Sequence, residues 1–333
     1  LLQITDPCGR YAEHKELLAA FEQEVFYYQG TEFIAWAEDR LVEEMQSFLG
    51  FPLVETRVIS GQMANMTIFS ALVDFLNRTD RRREPRRIPL VMNNHIGKGG
   101  HLSSQPMGAL RDYVAKDPVT EKYSVLNFPV LQDNPYRIDL EETANLLDRF
   151  DPGLIILGKS MILHPEPVAA IRKMLDTKST RPVIMYDMAH VLGLIGPHFQ
   201  DPFAEGADII TGSTHKTFYG SQRGVIGAAY EEGAPEFELW KAIERRAFPG
   251  AVSNHHLGTL LGLLMAALEM NAFKETYQPQ VVANAKAFAK ALADEGLEVQ
   301  GDPEVGYTET HQVVVVVGYA QGCAVAKELE ESN

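Results

Sequence analysis

The chain has 333 residues, of which 45% are hydrophobic and 23% charged, the balance of a globular protein with a core large enough for two domains. Its formal net charge of −15 argues against nucleic acid or an anionic membrane as a partner, because both would repel it. Cys8 and Cys323 lie at opposite ends and form no disulfide framework, and the absence of a signal peptide or an apolar run of ~20 residues predicts a cytoplasmic protein.

The first half of the chain alternates between helix and strand patterns. Apolar residues at helical spacing predict a helix from Phe33 to Phe48, and Ser60 is a good N-cap for a helix that includes Met63 to Leu76. The next predicted elements are a strand at 88–92, a strand at 125–131, a helix at 140–150, a strand at 154–157 and a helix at 167–175. This rhythm predicts an α/β fold with a mostly parallel sheet and helices on both faces.

The second half continues the same pattern and then changes. Strands are predicted at 183–186, 207–211 and 225–230, and helices at 237–245 and 277–295. The apolar run at 311–318 predicts a fully buried strand, and a helix begins near residue 323. We therefore expect an N-terminal helical segment (1–50), a large domain (51–270) and a small C-terminal domain (271–333) that is incomplete.

An acid and an amine follow two of the predicted strands. Asp187 ends the apolar run at 183–186, and Lys216 comes shortly after the run at 207–211. Open α/β sheets place their chemistry at the carboxyl ends of such strands. Pyridoxal phosphate (PLP) requires this pair, because a lysine forms an imine with it and a carboxylate keeps its pyridine nitrogen protonated. Taken singly, each residue has an ordinary alternative, a solvated lysine and an aspartate that caps a strand.

The predicted helix after Ser60 offers a phosphate site. Gly61 allows close backbone approach, and the first turn of the helix presents free N–H groups and the positive end of the helix dipole. The sequence therefore places an anion site upstream of the acid and the amine.

The segments DMAHVLGL (187–194) and STHKTFYG (213–220) resemble the two signature segments of the serine hydroxymethyltransferase family. That family has the type I PLP-enzyme fold, which implies a mostly parallel seven-stranded sheet with helices on both faces and a smaller C-terminal α+β domain. The resemblance also implies a PLP enzyme that makes or breaks the Cα–Cβ bond of a small amino acid. No metal site is expected.

The resemblance assigns roles to individual residues. Lys216 would carry the cofactor, Asp187 would bind its pyridine nitrogen, His101 would lie on its ring, and His190 would sit near its hydroxyl group or Asp187. The residues expected around the phosphate are Ser60, Gly61, Gln62, Ser213 and Thr214, where Gln62 replaces a family serine. The remaining candidates are Ser160, His215 and Gly250 for the cofactor, and Tyr28 and Arg223 for the substrate or a neighbouring subunit's site. A homodimer or a dimer of dimers is implied, because the Tyr28 and Gly250 segments serve the neighbouring subunit in the family.

The chain departs from the family where folate is used. A family glutamate that acts as acid or base in the folate reaction should precede the paired tyrosines, but the interval AFEQEVFYY (20–28) aligns no glutamate with it. The nearby candidates are Glu13, Glu22 and Glu24. Ile96, Gly100 and Leu102 still match family positions that line the folate cleft. Tetrahydrofolate is thus a doubtful second cofactor.

The leading functional hypothesis is hydroxymethyl transfer between serine and glycine. A folate-independent threonine aldolase or transaldolase is the alternative that the missing glutamate favours. Aminotransferases and racemases use the same lysine and aspartate, and a binding protein that has lost catalysis is a further alternative. Retention of both Asp187 and Lys216 argues against the last.

Overall fold

The structure is a computed structural model that describes residue 4, residues 6–11, residue 28 and residues 30–79, 85–178 and 180–332. Its main sheet consists of β1 (Leu53–Glu55), β2 (Val91–Asn93), β3 (Val125–Asn127), β4 (Leu154–Leu157), β5 (Val183–Asp187), β6 (Ile209–Ser213) and β7 (Gly224–Ala228). The seven strands lie in the order β1-β7-β6-β5-β4-β2-β3. Of these strands, β7 alone is antiparallel to its neighbours, so the other six share one direction.

The helices surround this sheet. They are α1 (Glu32–Leu49), α2 (Gly61–Leu76), α3 (Leu140–Arg149), α4 (Val168–Leu175), α5 (Phe237–Arg245) and α6 (Leu257–Asp294). A small C-terminal unit follows, with the antiparallel pair β8 (Glu298–Val299) and β9 (Val315–Val316) and then α7 (Gly322–Glu331). As the sequence predicts, Ser60 caps α2, because its hydroxyl accepts a hydrogen bond from the Met63 amide at 3.1 Å.

The core lies on both faces of the sheet, because successive side chains of a strand point to opposite sides. In β4, Ile155 packs into one apolar cluster with α1 and α6, whereas Ile156 packs into a second cluster with α2 and α5. In β5, Tyr186 and Met185 divide in the same way. The prediction of a mostly parallel sheet with helices on both faces is therefore confirmed.

The carboxyl ends of the central parallel strands meet at one edge. Asp187 of β5 stands opposite Thr211 of β6, and Tyr186 stands opposite Leu157 of β4. Residues that follow Leu157, Asp187 and Ser213 are therefore delivered to the same side of the sheet.

Two predictions for the second half of the chain differ from the structure. Helix α6 is continuous from Leu257 to Asp294 instead of starting at Tyr277, so the expected boundary between residues 270 and 271 falls inside it. The prediction of a fully buried strand at 311–318 is wrong, because the strand is limited to Val315–Val316 and Val316 is 43% exposed. Among the described residues this strand pairs with β8 alone, and pairing along one edge leaves the faces of a strand uncovered.

Helix α6 is the one described helix that is long and apolar enough to cross a membrane by length and composition. Half of its most apolar window is buried in the protein, and its buried residues include Leu260, Leu264 and Ala267 of the core cluster. We therefore describe α6 as a core helix.

Candidate active site

Asp187 and Lys216 lie at the carboxyl edge of the sheet, at the ends of two neighbouring strands. Asp187 is the last residue of β5 and is buried, whereas Lys216 is half-buried in the turn that follows β6. Burial lowers the pKa of Lys216 below its ordinary value, and the negative charge of Asp187 opposes that shift only in part. A lysine in this state has more of the neutral amine that nucleophilic chemistry needs.

The carboxylate of Asp187 is stabilised in its charged form. Its Oδ2 accepts a hydrogen bond from Asn65 Nδ2 at 2.7 Å and lies 2.5 Å from His101 Nδ1, and its Oδ1 accepts from the Ala189 amide at 3.1 Å. Burial raises the pKa of Asp187, but the attraction of His101 and these hydrogen bonds outweigh it, so the pKa falls below its ordinary value. Asp187 is therefore a buried and ionised acceptor.

Asn65 is a site residue that our sequence reasoning missed. It is fully buried in α2, where Nδ2 also donates to Ser103 Oγ at 2.7 Å and Oδ1 accepts from Thr211 Oγ1 at 2.6 Å. Its amide is thus oriented from both ends, which fixes the donor that faces Asp187. The available signal was an amide in a helix turn that is otherwise apolar, four residues after Gly61 and so on the same face.

Two histidines adjoin this acid. The rings of His101 and His190 are 5.4 Å apart and nearly perpendicular at 80°. Burial, followed by the charges of Lys216 and His101, lowers the pKa of His190 to about 4. His190 is therefore neutral at physiological pH and can both donate and accept a hydrogen bond.

The start of α2 and the end of β6 form a cradle. Gly61 lies so close to β6 that a Cβ atom there would be 2.2 Å from Ser213 Oγ. The first amides of α2 have no partner within the helix, and Ser213 and Thr214 are buried beside them. The exposed Gln62 lies in the same first turn. The structure thus brings together the five residues that the sequence assigned to a phosphate.

Other predicted residues lie at varied distances from this centre. Ser160 is half-buried just after β4, with its amide bonded to the Gly99 carbonyl at 2.7 Å, and His215 is exposed next to Lys216. Gly250 lies in an exposed turn after α5, and Tyr28 is 45% exposed with its ring 6.2 Å from that of Tyr11. Within the described chain no hydrogen bond, ion pair or ring contact joins Gly250 or Tyr28 to Asp187.

Arg223 is buried away from solvent, and its guanidinium binds backbone. It donates to the carbonyls of Thr56, at 2.9 Å, and of His255 and to Thr259 Oγ1 at 3.0 Å. Burial lowers its pKa to about 10, although the charges of two glutamates oppose that shift. Its main chain pairs with Thr214, so it braces the loop that carries Lys216.

Beside Arg223 lies a buried pair of a histidine and a glutamate that the sequence did not reveal. His255 Nε2 is 2.8 Å from Glu38 Oε1, and their side chains are 0% and 5% exposed. The pair joins α1 to the turn before α6. His255 Nδ1 also lies 3.4 Å from Arg223 NH2, so the pair adjoins the side chain that braces the lysine loop.

A segment of the C-terminal unit closes the site from another side. Gln312 donates to the Ser160 carbonyl at 2.8 Å and accepts from the Ile162 amide at 2.7 Å. Next to it, His311 has a buried Nδ1 atom without a hydrogen-bond partner, and its charge acts on the pKa of His190. His311 is the second site residue that our sequence reasoning missed, and a lone histidine before an apolar run gave little signal.

The residues matched to the folate cleft lie on the surface near His101. Ile96 and Leu102 are 39% and 51% exposed, and Gly100 is buried between them. Ile96 also lines an open groove of about 410 Å³ together with Gln105, Met107 and Arg111. The candidate glutamates Glu13, Glu22 and Glu24 lie outside the described residues.

The donor set fits PLP. An ionised buried carboxylate suits a protonated pyridine nitrogen, a helix N-terminus with two hydroxyl residues suits a phosphate, and a lysine with a lowered pKa suits covalent attachment. Within the described residues no three His, Cys, Asp or Glu side chains cluster as a metal site. The fold and this edge of the sheet are those of the type I PLP-dependent enzymes.

Comparison with known proteins identifies the family. The serine hydroxymethyltransferase family model matches residues 23–329, so the chain belongs to that family, whose members use PLP. The serine hydroxymethyltransferase of Archaeoglobus fulgidus is 38% identical over 92% of this chain and 64% of its own length. That of Pyrobaculum aerophilum is 36% identical over 100% of this chain and 70% of its own length. The chain thus spans about two thirds of the length of these relatives.

A solved structure is similar as well. The crystal structure of L-threonine transaldolase from Pseudomonas fluorescens superposes with a TM-score of 0.74 at 26% sequence identity, over 93% of this chain and 63% of that one. The likeness supports the fold assignment across the large domain and the C-terminal unit.

Proposed function

We propose that this chain belongs to a PLP-dependent enzyme that makes or breaks the Cα–Cβ bond of a β-hydroxy amino acid, with hydroxymethyl transfer between serine and glycine as the main reaction. The observation that carries the proposal is the pairing of an ionised, buried Asp187 with a Lys216 of lowered pKa at one sheet edge. The family membership supports the same reaction class.

Each group has a task in this proposal. PLP, when bound, supplies a ring that withdraws electrons from the bond to be broken at Cα. Lys216 would hold the cofactor covalently, and Asp187 would hold a proton on its pyridine nitrogen. The amides of Gly61 and Gln62 and the hydroxyl of Ser213 would bind its phosphate. Thr214 would line the same cradle, with its own hydroxyl donated to the Ser221 carbonyl at 2.6 Å.

The histidines would act around the ring. His101 would pack on it or stay near Asp187, which it already contacts. His190, neutral because of its lowered pKa, would hydrogen-bond the cofactor hydroxyl or a substrate group without adding charge. Arg223 would contribute as a brace of the lysine loop, because its NH1 and NH2 groups both donate to backbone carbonyls. Ser160, His215, Gly250 and Tyr28 are proposed as further contacts, the last two across a dimer interface.

A second candidate is a threonine aldolase or transaldolase that works without folate. Two observations favour it, the absence of an aligned glutamate before Tyr27 and Tyr28 and the likeness to an L-threonine transaldolase. Such a reaction needs a base for the hydroxyl proton of the amino acid and the cofactor, but no one-carbon acceptor.

A single pair of assays separates the two candidates. Serine cleavage is measured with and without tetrahydrofolate, and threonine is offered with a second aldehyde. Strong acceleration of serine cleavage by tetrahydrofolate supports hydroxymethyl transfer, and the glutamate concerned is then found by changing Glu13, Glu22 and Glu24 to Gln one at a time. Fast threonine exchange with no folate effect on serine supports the transaldolase. Failure to bind PLP at all would refute both.

A further inference from the structure

A buried ion pair lies behind the loop that carries His101, and neither the sequence motifs nor the proposed reaction uses it. Lys159 Nζ is 2.6 Å from Glu166 Oε1, and both side chains are 1% exposed. Lys159 Nζ also donates to the Tyr136 carbonyl at 2.7 Å. Lys159 is the second residue after β4, at the same edge of the sheet as Asp187.

The pair is connected to the loop through Asn94, the residue that follows β2. Asn94 Nδ2 donates to Glu166 Oε2 at 3.2 Å, and Asn94 Oδ1 accepts from the Gly158 amide at 2.8 Å. The Asn94 carbonyl accepts from Gln105 Nε2 at 2.8 Å. The Asn94 side chain therefore joins the ion pair to the exit of β4, and the Asn94 main-chain carbonyl holds the two ends of the loop at 94–105 together.

The loop in turn sets the place of His101. The His101 amide donates to the Gly158 carbonyl at 3.1 Å, and Gly100 forms a β-bridge with Lys159. Gly158 packs so tightly on Asp187 that a Cβ atom there would be 2.5 Å from the Asp187 carbonyl oxygen. A shift of the strand exit would therefore move His101 relative to the acid that it contacts.

Glu166 is tied to β5 as well. Gln200 Nε2 donates to the Glu166 carbonyl at 2.6 Å, and Tyr186, the neighbour of Asp187, donates to Gln200 Oε1 at 3.0 Å. The ion pair thus lies between β5, which ends in Asp187, and the loop at 94–105, which contains His101.

Stability alone does not explain such a pair. Removing two charges from water costs about as much as their attraction returns, and packed apolar side chains of similar volume are often as stable. What a buried pair supplies is a single geometry, since any other arrangement leaves a charge without a partner. We propose that Lys159 and Glu166 are positioning residues. They fix Asn94 and the loop at 94–105, and thereby the position of His101 against Asp187. The expected effect of this positioning on catalysis rests on the proposed PLP chemistry, whereas the effect on the loop does not.

The test compares Lys159→Met, Glu166→Gln and the double variant in the full chain without added cofactor. Hydrogen exchange is followed at the Gly100 and His101 amides, which report local opening of the loop. We expect each single variant to exchange at least about tenfold faster there, because one buried charge loses its partner. The double variant should exchange more slowly than either single variant, since it leaves no lone charge.

A matched control is Arg172→Met. Arg172 NH2 lies 2.5 Å from the largely buried Asp208, with side chains 12% and 10% exposed, and Asp208 stands just before β6 at the opposite edge of the sheet. This variant should destabilise the protein without changing exchange at Gly100 and His101. Equal exchange in Lys159→Met and the parent, or the same acceleration in Arg172→Met, would overturn the proposal.

The second readout uses the holoenzyme. We expect the single variants to lower kcat by about 100-fold, the effect of a displacement near 1 Å, while KM for the amino acid stays close to that of the parent. A parent protein that binds no PLP would refute the proposed function, and the exchange experiment would still decide the positioning role. An unchanged kcat alongside a loosened loop would refute the link to His101.

Discussion

At the scale of single residues, the buried acid of the site keeps its charge, whereas the amine of the site loses its proton more readily than usual. Asp187 is buried but keeps its charge, because His101 and Asn65 more than offset the loss of water. Lys216 is half-buried and loses part of its hold on a proton. His190 is kept neutral beside them. All three pKa values are lowered, that of Asp187 by its hydrogen-bond partners and those of Lys216 and His190 by burial. Perturbed pKa values that cluster in this way are typical of functional sites.

Lys216→Ala should abolish covalent attachment of PLP and lower turnover by about 10²–10⁴-fold, the range for one positioned catalytic group. Attachment is measured by borohydride reduction followed by intact mass. Lys274→Ala is the matched control, because Lys274 is another half-buried lysine whose pKa burial lowers, but it donates to the Phe48 carbonyl. Retention of the cofactor mass in Lys216→Ala would show that another lysine carries it.

Asn65→Ala should lower the free energy of unfolding by about 1–3 kcal/mol, because the buried hydroxyls of Thr211 and Ser103 lose their partner. It should also change the acid limb. The pKa of Asp187 lies below its ordinary value of 3.8, so its ionised form adds stability above pH ~4 that is lost as the pH falls through the lowered pKa. Without Asn65 that pKa rises, and this contribution shrinks and is lost at a higher pH.

Urea unfolding, measured without cofactor between about pH 3 and about pH 7, reports both effects. Asn77→Ala serves as the control, since Asn77 also makes side-chain hydrogen bonds to backbone at the other end of α2, to Val73 and Arg86. It should cost stability at every pH without moving the acid limb. An acid limb that Asn65→Ala leaves in place would mean that Asn65 does not tune Asp187.

At the scale of elements, the strands and helices that build the site follow from local patterns. Apolar runs predicted β4 at its observed bounds and β5 to within one residue, because both are buried on two faces. Strand β1 is three residues long and has no such run, and the reversal of β7 depends on its pairing with β6 and β1. Length and partner choice of this kind are set by tertiary contacts, which a periodicity does not contain.

The candidate site divides in the same way. Asp187, Lys216 and the Ser60 turn could be predicted because they end or begin recognisable elements. Asn65 and the pair of Lys159 and Glu166 could not, because their partners lie from 7 to 146 positions away in a chain whose folding brings them together. His311 could not either, because the histidine that it acts on, His190, comes from a distant part of the chain. Each of these residues looks ordinary until its partner is known. Fold-level contacts, not residue type, make them part of the site.

Gly61→Ala tests the cradle at the start of α2. The new Cβ atom would lie 2.2 Å from Ser213 Oγ, and overpacking of this kind costs about 1–3 kcal/mol, so PLP affinity should fall by about tenfold to a hundredfold. Ser213→Ala in the same chain removes the colliding oxygen and should recover part of the loss. Affinity is measured by titration with PLP.

The matched control for Gly61→Ala is Gly322→Ala. Gly322 is also the first residue of a helix, α7, and a Cβ atom there meets nothing within 4 Å. It should leave PLP affinity unchanged and favour the helix slightly, because alanine is the better helix former. Equal PLP affinity of Gly61→Ala and the parent would show that the phosphate does not bind in this cradle.

At the scale of the whole molecule, the described chain exposes aromatic side chains on a helix that packs beside α6. Phe33 and Trp36 of α1 are each 58% exposed, and their rings are stacked 5.8 Å apart. Paired exposed aromatics are enriched at protein interfaces. Because Tyr28 and Gly250 match family segments that serve the neighbouring subunit, we expect a homodimer that buries this part of α1.

Phe33→Ser together with Trp36→Ser should weaken self-association at least tenfold, since a buried aromatic anchor contributes about 2 kcal/mol or more. Activity should fall in step with the loss of dimer, because each site would need residues of the other copy. Phe288→Ser is the control, as Phe288 on α6 is also 58% exposed but has no exposed aromatic partner among the ring contacts of the described chain. Sedimentation equilibrium at assay concentration decides the outcome, and a fully active monomer would refute the dimer and the shared site together.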